Sequence, residues 1–183
     1  MTYADELLEL AKDVADLPNP YSHQPSLRRA NSTAYYALFH LLISEATLNG
    51  SRPEFRAALG RVFDHRQMKQ AADKKVSELR NYFSQKLPEG RERTVAFHLH
   101  NVANTFLHPQ FYRNDADYNT ATEWELDEVL TQIDDIGEAF KSWKIIRDEP
   151  PAQAYLVSML LSRERKQNER PSRGTRPTVM DAP

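Results

Sequence analysis

Ser26-Leu27-Arg28-Arg29-Ala30-Asn31-Ser32-Thr33-Ala34-Tyr35-Tyr36-Ala37-Leu38-Phe39-His40 decides how this chain is read. Leu27, Ala30, Ala34, Leu38, Leu41 and Leu42 recur every three or four residues and predict the apolar face of a helix. Arg29, Ser32/Thr33, Tyr36 and His40 recur at the same interval on a neighbouring face. Two readings of that second stripe are open. It lines a polar cleft, or it is a solvated face with His40 at its boundary.

Working outward, the periodicity predicts helices nearly throughout and no sheet. A first helix is expected over about Thr2 to Leu17, with Thr2 as its cap and Leu7, Leu10, Ala11 and Val14 inward. Pro18 and Pro20 stop it. Ser26 is placed to cap the second helix, which runs to about Leu48 before Asn49-Gly50 turns the chain. A third helical region starts near Pro53 with Phe55, Leu59, Val62 and Phe63 apolar, breaks around Asp64-His65, and resumes through Met68, Ala71, Ala72 and Val76. Thr94 opens a helix that Pro109 interrupts or distorts. The last long helix falls within Thr120 to Ile146, and Pro150-Pro151 starts a shorter one. The expected fold class is therefore all-α, a bundle of about five helices over residues 1–166. Residues 167–183, polar and basic with three prolines, are expected to be a disordered tail.

Composition removes whole classes of function. The 183 residues contain no cysteine, so disulfides, thiolate zinc sites and cysteine nucleophiles are ruled out. The five glycines are isolated, which leaves no phosphate loop. No histidine follows a glutamate by three residues, as a carboxylate-bridged di-iron bundle needs. On a helix His98 and His100 point in nearly opposite directions, so they do not form a metal pair. No metal or other cofactor is expected. The first residues lack the pattern of a signal peptide, and no apolar run is long enough to span a bilayer, so the expectation is a cytoplasmic protein with no membrane contact.

The formal net charge of -2 conceals segregation. Residues 52–93 hold eleven Lys/Arg against six Asp/Glu, whereas residues 115–149 hold three against eleven. Such a division steers a polyanion to one surface, pairs one subunit with another, or simply reflects solvated helix faces. A second cluster, Arg113-Asn114-Asp115-Ala116-Asp117-Tyr118, brings together an arginine fork suited to phosphate, an acid able to hold it, and a ring able to stack on a base. A helix cap with loop hydrogen bonds is the alternative for that cluster.

These two stretches, with Arg61-Val62-Phe63-Asp64-His65 between them, resemble one branch of the HEPN superfamily of small helical, nucleotide- and RNA-associated domains. The likeness covers about Thr2 to Ser162. It implies a HEPN-like bundle, a homodimer whose interface forms an RNA or nucleotide cleft, and in active members a metal-independent endoribonuclease of toxin–antitoxin or defence systems. It further implies that Arg29, Tyr36, Arg113, Asp117 and Tyr118 contact nucleic acid. For cleavage, Arg113 would hold the phosphate, His40 or His65 would move the proton, and Tyr118 would hydrogen-bond or stack. An antitoxin or neighbouring protein is a possible partner. Where active members carry a histidine separated from the arginine by four to six intervening residues, this chain has Tyr118, Asn119 and Thr120. The spacing does occur upstream, from Arg93 to His98 and to His100. The rival reading is a non-catalytic homodimeric protein-interaction scaffold.

Overall fold

The structure, a computed structural model, describes residues 1–17, 24–85, 89–118 and 123–161, and for 109–118 and 161 the backbone alone. Among them are seven α-helices, one 3-10 turn and no strand: α1 (Tyr3–Ala15), α2 (Gln24–Leu48), the 3-10 turn Pro53–Phe55, α3 (Arg56–Gly60), α4 (His65–Gln85), α5 (Gly90–Tyr118), α6 (Leu126–Ile146) and α7 (Pro150–Leu161). The all-α expectation stands, with more pieces than the five anticipated. The third region divides because Asp64 accepts from the backbone N–H of Arg66 and Gln67 and so starts a new helix. Ser162 to Pro183, the expected tail included, lie outside the described residues. None of the helices, among the described residues, is long and apolar enough to cross a membrane.

The centre of the bundle is α2. Ala30, Ala34, Ala37, Leu38 and Leu42 on it are fully buried, and α1, α5 and α6 surround it. Two ties fix its direction beside α6. Gln24 exchanges two hydrogen bonds with the Trp124 backbone at one end, and Arg147 donates to Glu45 at the other, 3.0 Å away. These two helices therefore run parallel. Helix α5 runs against both, since His98 meets Ser142 while His108 lies beside Asp127 and Glu128.

Local chemistry departs from the expected boundaries at four places. Helix α2 begins at Gln24, so Ser26 sits inside its first turn instead of capping it. Helix α5 begins at Gly90, whose φ of 57° suits glycine, and Thr94 donates its hydroxyl back to the Gly90 carbonyl within the helix. It continues past Pro109 to Tyr118, the proline removing one helical N–H. Around α3, Phe55 and Val62 are exposed, not core, because no neighbour among the described residues covers the outer side of this five-residue helix.

Helix α1 also differs in register. Thr2 caps it as expected, in a reciprocal box with Asp5. Ala4, Leu8, Ala11 and Ala15 face the core, whereas Leu7 and Val14 are half-buried and Leu10 is exposed. Three small alanines let the two backbones approach closely, and the larger side chains are displaced to the flank.

One core group is poorly matched. Asn31 is fully buried on α2, and neither its amide nitrogen nor its oxygen has a hydrogen-bond partner among the described residues. An unsatisfied buried polar group costs about 1–3 kcal/mol. Asn31→Leu, similar in size, should raise unfolding stability by about 1 kcal/mol or more in urea denaturation. A loss of stability would show that the amide has a bound water as partner.

Candidate functional site

The polar stripe of α2 opens into a groove of about 340 Å³ between α1 and α2. Arg29, Ser32, Thr33, Tyr36 and His40 form one wall, and Tyr3, Leu7, Leu10 and Val14 form the other. The groove follows from the α1 register: small alanines set the helices close, and the displaced leucines and valine rise along its rim. Thr33 donates to the Arg29 carbonyl at 2.7 Å, which fixes its hydroxyl on the helix, while the Arg29 guanidinium is free to reach solvent.

An aromatic cluster closes one end. Tyr3 meets His40 edge-on with ring centroids 5.1 Å apart, and Tyr36 lies 6.4 Å from His40. His65 stacks on Phe39 at 3.8 Å and meets Tyr36 edge-on at 5.8 Å. Its Nδ1 is 2.9 Å from the Tyr35 hydroxyl. His65 therefore supports Tyr36 from behind and is not a wall of the groove. His40 is on the wall, and burial there lowers its pKa from the ordinary 6.5. A neutral imidazole at neutral pH both accepts and donates hydrogen bonds.

Of the expected site residues, Arg29, Tyr36 and His40 thus share one surface, with His65 one ring away. Arg113, Asp117 and Tyr118 belong to the last turns of α5, and their side chains lie outside the described residues. Tyr35 meets Phe106 at 5.7 Å, and since α5 runs antiparallel to α2 its last turns lead toward the end of the bundle where α2 begins.

The upstream pairs have a different environment. His98 Nδ1 is 3.1 Å from the Ser142 hydroxyl, which also accepts from Asn101 at 3.0 Å. His100 faces Phe83 of α4, as the helical reading of His98-Leu99-His100 requires. Its pKa is lowered by burial and then by Arg80. No group of three His, Asp or Glu among the described residues is placed to hold a metal ion.

The α1 wall was not anticipated. Tyr3, Leu7, Leu10 and Val14 are spaced four, three and four apart, a second apolar stripe beside the buried one. That spacing is the signal that would have found them. Compared with known proteins, the chain matches no family model, no curated protein and no solved structure.

Arg29 and His40 are eleven residues apart on α2, about 16 Å along its axis at the helical rise. They cannot grip a single phosphate. The wall suits an extended ligand with a charge at one end and a flat group near Tyr36.

The lowered His40 and His100 pKa values have a definite sign in stability. The unfolded chain takes up protons at higher pH than the folded one, so their contribution is complete above 6.5 and declines as pH falls from 6.5 toward the folded values. In urea denaturation between about pH 7 and about pH 5, His40→Gln should lose less stability than the native protein. An unchanged pH slope, with an imidazole NMR midpoint at or above 6.5, would refute this.

Proposed function

We propose that this chain is a cytoplasmic, HEPN-like protein that binds single-stranded RNA along the α1–α2 groove as a homodimer. The observation that carries the reading is the shared wall of Arg29, Tyr36 and His40. A guanidinium holds phosphate, a tyrosine ring stacks on any base, and a neutral imidazole reads a hydroxyl or a base edge. The separation of Arg29 from His40 favours a strand over a mononucleotide. The resemblance adds Arg113, Asp117 and Tyr118, and the antiparallel course of α5 supports adding them at the end of the bundle where α2 begins.

If the protein cleaves RNA, His40 suits proton transfer from the ribose hydroxyl, because it is neutral where a base must be. Arg113 would neutralise the phosphate, and the setting would be a toxin–antitoxin or defence system with a protein partner. The alternative, a non-catalytic scaffold, is favoured by a separate observation. Leu48, Phe55 and Val62 are exposed within one short stretch, as a protein-docking surface would require.

Fluorescence anisotropy with single-stranded RNA, in chelator and at two salt concentrations, tests the proposal. Tyr36→Leu should weaken binding by about 1–3 kcal/mol through lost stacking. Arg29→Ala and Arg113→Ala should each cost about 1.5–3 kcal/mol and flatten the salt dependence. Light scattering should give twice the chain mass. A folded native protein that neither binds nor cleaves any RNA tested would leave the scaffold.

A further inference from the structure

Apart from that groove, α5 presents a second polar stripe: Thr94, His98, Asn101, Thr105 and His108, three or four residues apart. At His98 and Asn101 the opposing helix supplies a partner, Ser142. Further along, α5 and α6 separate around a groove of about 550 Å³, walled by Thr105 and His108 on one side and Asp127, Glu128, Gln132 and Asp135 on the other.

Several acceptors in this groove lack partners among the described residues, although His108 and Asn104 also line it. None of its three carboxylates forms an ion pair among the described residues. Thr105 is only 7% exposed, and its hydroxyl has no hydrogen-bond partner among them. The Gln132 side-chain oxygen is closed to solvent and equally unpaired. Pro109 has no N–H to offer the Thr105 carbonyl four residues earlier. By contrast, the Thr131 hydroxyl is already given to the Asp127 carbonyl at 2.7 Å.

The spacing selects the ligand. Asp135 lies two turns from Asp127 and Glu128, about 11 Å along α6. One metal ion, with oxygen ligands at about 2–2.6 Å, cannot join both ends. The negative charge excludes nucleic acid. Two anionic ends with neutral, sunken acceptors between them match a thin chain carrying separated ammonium groups. A peptide is too broad to bring its backbone down to Thr105 and Gln132.

We propose that the α5–α6 groove is a binding site for a linear aliphatic polyamine. One terminal ammonium meets Asp135 and the other Asp127 and Glu128. The internal ammonium donates to the Thr105 hydroxyl. This site is independent of the RNA reading.

Calorimetric titration of the full chain with spermidine, at moderate salt and without divalent ions, tests the site. One saturable site per chain is expected, with putrescine weaker because it is too short to join the two ends. Asp135→Asn and Asp127→Asn should each weaken spermidine binding about tenfold or more. Thr105→Val is nearly isosteric and leaves every charge in place, so it should weaken binding several-fold only if the amine enters the groove. Circular dichroism checks that each variant folds. The proposal fails if binding is not saturable, or if affinity is equal in the native and Thr105→Val proteins. It also fails if magnesium at equal charge concentration displaces spermidine fully, or if a lysine peptide binds more tightly than spermidine.

Discussion

Everything in this bundle depends on the enclosure of α2. A helix surrounded by α1, α5 and α6 must be apolar or matched on nearly every side, and its run of alanines and leucines meets that demand. Any polar group on it is then buried at a cost or directed to a seam between neighbours. Asn31 is the first case. Arg29, Tyr36 and His40 are the second, and the seam they reach is the one beside α1. The groove thus arises beside the alanine contact, where Leu7, Leu10 and Val14 of α1 rise along its rim.

Much of this was legible from residue periodicity. The apolar face of α2, the Thr2 cap, the break at Asp64 and the start at Pro150 each have a local cause within a few residues. The polar stripe was legible as a stripe, but one helix cannot say what lies opposite it. Leu10 and Val14 illustrate the limit. Periodicity placed them inward, while pairing with α2 let alanines take the interior and moved the larger residues to the rim. The energy difference between those two faces is set by the partner helix.

Pro109 and the α3 segment illustrate two further limits. A proline is a strong local stop, yet α5 continues past Pro109 to Tyr118 with only one helical N–H removed. Around α3, apolar spacing without a covering neighbour yields exposure. The acceptors on the α5 and α6 faces were individually visible in the sequence. Their lack of counterparts is a property of the assembled pair, since His98 and Asn101 on the same stripe do find Ser142.

The Gln24 amide both donates to and accepts from the Trp124 peptide, a pairing across 100 residues of chain. It acts as a single rung of sheet-like bonding inside a helical protein, joining the first residue of α2 to the segment that precedes α6. Because those two bonds join both helix starts, their loss in a local opening frees the beginnings of α2 and α6 at once. The Arg147–Glu45 pair, a single half-exposed ion pair at the opposite end, imposes a weaker coupling.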